Sequence, residues 1–259
     1  MLNLLLTRHG HSLAGDVVLG GQIDVSLSPR GCAEADALRR RLAGIHIDRI
    51  ISSPLLRALE TAQAVATGRP VQVDDRLREL DYGRWEGLTE EEIRERDPEL
   101  RARWEDDPAG IHSPGGESGE EVARRLSDFL RSLLSEEAHP GGDHGRAGRR
   151  WAGTSGSAAA GSSSRPPGSD SGGVVSGGEP GPNPEPERRV LVVAHGTVNR
   201  ILLCVALGSP VGDYRRRFVQ DRAGLTVLRF ARDAASNDGQ LALANDLSHL
   251  RELGEAPWG

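Results

Sequence analysis

Short apolar runs ending on turn-forming residues set the rhythm of this chain. Leu2 to Leu6 runs into Arg8-His9-Gly10 and predicts a buried strand feeding a loop. Ile47 to Ile51, Val71 to Val73 and Val190 to Ala194 predict further strands, and Leu225 to Phe230 and Leu241 to Ala244 predict late ones. Between them the period lengthens. Ser28-Pro29-Arg30-Gly31 opens a helix to about Leu42, with Ser28 as N-cap and Pro29 at the first position. Ser53-Pro54 opens another by the same device, to about Thr67. From Glu120 to Leu134 the residues Val122, Leu126, Phe129, Leu130, Leu133 and Leu134 share one stripe. A further helix spans about Val198 to Leu207. Strands separated by helices predict an α/β fold, a mostly parallel sheet covered on both faces. Ligands of such sheets bind beyond the C-terminal strand ends. Arg8-His9-Gly10 and His195-Gly196 both fall there.

Composition changes the domain picture. Residues 136–187 are mostly Gly, Ser, Pro and Ala, and take a large share of the 33 Gly in the 259 residues. Such a segment cannot bury enough apolar surface to offset its chain entropy. It reads as a disordered insertion within a single domain spanning 1–259, and closure entropy tolerates its length. The remaining core of roughly 205 residues suits one domain.

Charge narrows the chemistry. The formal net charge is −6, which argues against nucleic acid as a partner. All 32 basic side chains are Arg. Without Lys there is no Schiff-base amine and no Gly-x4-Gly-Lys phosphate loop. A bound oxyanion must be held by Arg, His, neutral donors or backbone N–H groups, and the planar Arg fork suits that task. Cys32 and Cys204 have no zinc-site spacing and read as two small buried hydrophobes. No membrane-length apolar run and no signal-peptide pattern is present, so a cytoplasmic protein without membrane partners is expected.

Five motifs occur in order: Arg8-His9-Gly10; Ser52-Ser53-Pro54-Leu55-Leu56-Arg57-Ala58 with Thr61-Ala62; Leu77-Arg78-Glu79-Leu80-Asp81-Tyr82-Gly83-Arg84-Trp85-Glu86-Gly87; Pro114-Gly115-Gly116-Glu117-Ser118; and Val193-Ala194-His195-Gly196. Together they resemble the histidine phosphatase superfamily in its phosphoglycerate-mutase-like branch. The resemblance covers the core and none of the insertion. It implies a three-layer α/β/α sandwich and a metal-independent phosphomonoesterase that needs no cofactor and takes a small phosphate ester. His9 would attack phosphorus, with its other ring nitrogen donating to a backbone carbonyl. Arg8 and Arg57 would clamp the phosphoryl oxygens, and His195 would donate to them. Glu79 matches the family's proton donor. The substrate-binding set implied is Arg8, His9, Gly10, Ser12, Gly21, Gln22, Arg57, Glu79, His195 and Gly196.

Alternative readings are a cofactor-dependent phosphoglycerate mutase, an alpha-ribazole phosphatase as the specific assignment, and a non-catalytic binding module. Absence of Lys speaks against the mutase. Glu86 and Glu90 to Glu92 read as a charged helix face, Trp85 as core or pocket wall, and Arg215-Arg216-Arg217 as solvated surface. Two departures from the family pattern stand out. His11 replaces a Glu, and Gly15 stands where an Asn is usual. The Gly20 to Asp24 loop then offers backbone N–H groups instead. His9-Gly10-His11 raises a zinc or copper site, but further ligands are not evident, so no metal is expected. Deleting residues 141–182 is expected to leave cooperative unfolding and turnover intact. Loss of the cooperative transition in that deletion would show the segment to be structural.

Overall fold

Each apolar run predicted to be a strand forms one. The computed structural model describes residues 1–15, 19–138, 187–231 and 233–253. Among them, β1 (Leu2–Arg8), β2 (Arg49–Ser52), β3 (Gln72–Val73), β4 (Arg188–Ala194), β5 (Leu225–Phe230) and β6 (Gln240–Asp246) form one sheet in the order β3-β2-β4-β1-β5-β6. The β1–β4, β2–β4 and β2–β3 pairs are parallel. The β1–β5 and β5–β6 pairs are antiparallel, so the sheet is mixed at one edge.

The two faces are covered by different helices. Leu5, Ile50, Leu191 and Val193 pack with Leu38 and Leu42, and with Ala58, Ala62 and Val65. These helical residues belong to or border α1 (Pro29–Arg41) and α2 (Leu56–Ala66). On the other face Leu4, Leu6, Val190 and Val192 pack with α5 (Gly119–Ala138) and α6 (Gly196–Ala206). Alternate residues of β1 and β4 thus point to opposite cores, which is why both strands are apolar throughout. This is the three-layer sandwich expected, with phosphoglycerate-mutase-like architecture.

Local signals explain most helix ends. Ser28 Oγ accepts from Gly31 N–H at 3.2 Å, the predicted cap. The prediction for α2 fails at its start, since the helix begins at Leu56. Its first N–H donates to Asp24 Oδ1 at 2.6 Å, so a distant carboxylate does the capping expected of Ser53. Between β3 and α5, the charged helix face read from Glu90 to Glu92 becomes α3 (Glu90–Arg96), while α4 (Pro98–Asp106) was not anticipated, nor was α7 (Tyr214–Arg217) after α6. A reciprocal Thr89–Glu92 capping box starts α3.

Two boundaries move. Helix α5 continues to Ala138, so Glu136 and Glu137 belong to it and not to the insertion. Glu137 is buried and pairs with Arg49 at 2.8 Å and Arg188 at 3.0 Å, tying the helix end to β2 and β4. Glu187, the other boundary, pairs with Arg189 at 2.9 Å. The rest of the predicted insertion lies outside the described residues. Of the two cysteines only Cys204 is buried; Cys32 is exposed on α1.

The loop after β1 is pressed against the start of α1. A Cβ on Gly31 would lie 2.0 Å from the His11 carbonyl oxygen, and one on Gly10 would lie 2.6 Å from that of Gly31. Both obstacles are backbone, which cannot swing aside. Gly31→Ala is expected to destabilise the chain by about 1–3 kcal/mol through overpacking. Chemical denaturation measures this, and an unchanged midpoint would contradict the close approach.

Candidate active site

Strand ends deliver the functional groups. Parallel pairing sets Arg8 opposite Ala194, and His9 N–H donates to the Ala194 carbonyl at 3.0 Å. His9 and His195 therefore leave neighbouring strands side by side, with ring centroids 5.1 Å apart. Ser53 N–H donates to Val193 O at 3.0 Å, bringing the end of β2 to the same place. Just beyond it, Arg57 is the second residue of α2.

The His9 ring is anchored as predicted. Its Nδ1 lies 2.7 Å from the Gly10 carbonyl, which can only accept, so Nδ1 carries the proton. Nε2 then holds a lone pair, and Arg57 Nε donates to it at 3.2 Å. Burial holds His9 well below the usual histidine range, and the charges of Arg8 and Arg57 push the same way; the Gly10 carbonyl opposes them. His195 is likewise held well down, first by burial and then by Arg57, His9 and Arg8. Both rings are neutral at neutral pH.

Arg57 is buried and has its nitrogens occupied. Nη2 donates to Gly21 O at 2.6 Å and Nη1 to Ile23 O at 2.7 Å. Each terminal nitrogen still has a second hydrogen. Arg57 thus both faces His9 and holds the Gly20 to Asp24 loop. The N–H groups of that loop are directed inward: Gln22 N–H donates to Glu86 Oε1 at 2.7 Å and Ile23 N–H to Gly20 O at 3.0 Å. The Gln22 side chain donates to Glu79 O at 3.2 Å. Arg8 Nη1 donates to the Gln220 carbonyl at 3.1 Å. Gly196 opens α6 close to that guanidinium, which a Cβ there would meet at 3.3 Å.

Glu79 sits at the head of α6. Its carboxylate accepts from Thr197 N–H and Val198 N–H, each at 3.2 Å, and from Leu80 N–H at 2.9 Å. Arg125, on α5, steadies the backbone behind it, donating to Arg76 O at 2.5 Å and Glu79 O at 3.4 Å. Ser12 is buried and bridges backbone-to-backbone with Leu27.

Several residues were read otherwise or missed. Glu86 is not a surface helix charge: it accepts from Gln22 and Tyr82 N–H, and burial pushes its carboxyl up. Arg222 bridges Arg8, and its charge bears on both His9 and Arg57. No motif marks it in the sequence. Arg215, Arg216 and Arg217 are exposed, as the surface reading expects, and the Arg215 guanidinium lies 4.8 Å from the Trp104 ring centre. Trp85 is core, fully buried, its Nε1–H donating to Asp97 at 2.7 Å. His11, the metal candidate beside His9, has Nδ1 2.8 Å from Ser28 Oγ. Among the described residues no group of three His, Cys, Asp or Glu is placed to hold a metal ion. Nor, among them, is any helix long and apolar enough to cross a membrane.

Comparison with known proteins follows the same lines. The family model of the histidine phosphatase superfamily (branch 1) matches residues 4–143 and 182–239. Phosphoserine phosphatase 1 of Hydrogenobacter thermophilus is 38% identical over 136 residues, which is 51% of this chain and 64% of that protein. A bifunctional protein of Mycobacterium tuberculosis is 44% identical over 127 residues, only 35% of its own length. Glucosyl-3-phosphoglycerate phosphatase of Mycolicibacterium vanbaalenii is 33% identical over 215 residues, 82% of this chain and 76% of that protein. The native structure of mycobacterial glucosyl-3-phosphoglycerate phosphatase superposes with a TM-score of 0.69 at 28% identity, covering 94% of this chain and 98% of that one. A putative alpha-ribazole-5'-P phosphatase from Escherichia coli shares the fold, with a TM-score of 0.70 at 21% identity, covering 95% and 96%.

The buried imidazoles have a cost in acid. Their folded pKa values lie below the ordinary 6.5, so below that pH the unfolded chain binds more protons than the folded one. Stability present above pH 6.5 is therefore lost as pH falls toward the folded values. The slope approaches about 1.4 kcal/mol per pH unit for each ring. Urea unfolding between about pH 7.5 and 5.5 measures it. A His9→Asn, His195→Asn double variant should show a shallower loss, and an identical slope in both proteins would refute the assignment.

Proposed function

The chain belongs to the histidine phosphatase superfamily, and we propose that its strand-end centre is a metal-independent phosphomonoesterase working through a phosphohistidine. One observation carries this reading: His9 Nδ1 is tied to the Gly10 carbonyl while Nε2 keeps its lone pair, facing the Arg57 N–H. A neutral imidazole fixed in that tautomer is a ready nucleophile.

The steps follow from the groups around it. A phosphate ester enters among Arg8, Arg57 and His195, and the Nε2 lone pair turns from Arg57 to phosphorus. The N–P bond forms as the P–O bond to the alcohol breaks. Glu79 gives its proton to the departing oxygen. The arginines match the charge spread over the non-bridging oxygens. Water then attacks the phosphohistidine, giving its proton to Glu79. The N–P bond breaks, inorganic phosphate forms, and His9 regains its lone pair. His9 Nδ1 and His11 Nδ1 are held by the Gly10 carbonyl and the Ser28 hydroxyl, and these steps use only nitrogen, arginine and carboxylate. Gly10, Ser12, Gly21, Gln22 and Gly196 complete the walls.

The names of the relatives, a phosphoserine phosphatase and a glucosyl-3-phosphoglycerate phosphatase, support a small phosphate monoester as substrate. The chain spans 64% of the first protein's length and 76% of the second's. A panel of such esters, with ribazole phosphate included, separates the candidates.

His9→Ala is expected to lower turnover of an aryl phosphate by roughly three orders of magnitude or more. Arg57→Ala should weaken inhibition by inorganic phosphate at least tenfold or so, because the anion loses a charged donor. Wild-type turnover in the first variant would refute the phosphohistidine. Unchanged inhibition in the second would remove Arg57 from the clamp.

A further inference from the structure

The hydroxyl of Ser53 lies 2.7 Å from His195 Nε2, and both residues are fully buried. Ser53 does not serve the helix start that its Ser-Pro sequence suggests. Asp24 takes that role at Leu56. Instead Ser53 is pinned by its own N–H to Val193 O at 3.0 Å, in the strand that ends at His195.

We propose that Ser53 is the positioning residue of His195: its hydroxyl donates to Nε2, places the ring proton on Nδ1, and so keeps Nδ1–H as a donor for a phosphoryl oxygen. Counting protons leads there. Leu55 N–H donates to Ser53 Oγ at 3.3 Å, and a backbone N–H can only donate. Oγ therefore accepts from Leu55 and has one proton to give, with Nε2 as its nearest acceptor. The reverse arrangement, Nε2–H donating to Oγ, would strand the hydroxyl proton in a buried site. A neutral ring holds one proton, so Nδ1 has it. His195 Nδ1 is buried and has no hydrogen-bond partner among the described residues. A buried N–H without an acceptor is a place for a ligand oxygen. The tautomer stands on the hydrogen bonds alone; its use as an oxyanion donor rests on the phosphomonoesterase reading.

Nitrogen-15 NMR of the histidine-labelled full chain tests the tautomer without any substrate. Wild-type His195 should show a protonated Nδ1 and a bare Nε2. Ser53→Ala should move the ring to the Nε2–H form or to a mixture. It should also weaken binding of inorganic phosphate by roughly tenfold, the value of one hydrogen bond to a charged group. Ser53→Thr keeps the hydroxyl and should restore both readouts. A protonated Nε2 in the wild type overturns the proposal, as does an Nδ1–H ring with unchanged phosphate affinity in Ser53→Ala. Should Ser53→Ala fail to fold, the wild-type and Ser53→Thr spectra still decide. Failure of the phosphatase reading would show separately, as full turnover in His9→Ala.

Discussion

The pairing of β1 with β4 is the constraint on which the site depends. With Arg8 opposite Ala194, the two strands end level and release His9 and His195 together. A slip of one residue would turn every side chain of β1 to the other face. Both faces are apolar here, so alternation of polar and apolar residues cannot choose the register. It is chosen by fit, Leu4 and Leu6 against α5 and α6, Leu5 against α1 and α2. The packing that stabilises the fold and the geometry that aligns the imidazoles are one interaction. A core substitution in β1 therefore acts on chemistry as well as on stability.

Electrostatics at those strand ends are deliberately unbalanced. Two neutral rings sit among the charges of Arg8, Arg57 and Arg222. The nearest compensation for Arg57 comes from Glu79, Asp24 and Glu86, which stand back around the loop and the α6 head. Burial alone would lower the charge on Arg57, and these carboxylates oppose it. The arrangement leaves positive potential at the histidines, where a phosphate dianion would sit. Arg57 also spends two of its donors on the Gly21 and Ile23 carbonyls, which ties it to the Gly20 to Asp24 loop. Preorganised donors of this kind need no rearrangement as charge develops.

Much of this was legible in the sequence where the cause was local. Apolar runs gave the strands, and Ser28-Pro29 gave the start of α1 because a cap acts within one turn. The Arg-His-Gly and His-Gly strand ends, with Arg57 and Glu79, come together in space through the topology that the alternation of strands and helices implies. Causes that cross the chain were not legible. The Ser53 hydroxyl serves a ring 142 positions away, and Leu56 is capped by a carboxylate 32 positions earlier. Glu86 looked like one more acid in an acidic stretch until the loop closed over it. Arg222 had no motif, only a place beside Arg8 set by a parallel backbone bridge just ahead of β5. The start of α3 is different, because its Thr89–Glu92 capping box was present in the sequence as a readable signal.

The two departures from the family pattern have different physical consequences. His11, in place of the usual Glu, is absorbed by structure: its N–H donates to Glu34 at 2.7 Å and its ring meets the Ser28 cap. The imidazole Nδ1 lies 2.8 Å from the Ser28 hydroxyl that caps α1. Gly15 is another matter. Its φ of +72° suits Gly or Asn, so backbone conformation does not forbid the usual residue. Its carbonyl instead accepts from Arg222 Nη2 at 3.3 Å. The position thus carries no amide side chain, and a guanidinium lies against its backbone carbonyl. An amide would have offered hydrogen bonds of similar strength to a phosphate monoanion or dianion, whereas an added cation favours the dianion through charge. On the phosphomonoesterase reading, the exchange would tilt the pocket toward the doubly charged ester, the form that predominates at neutral pH.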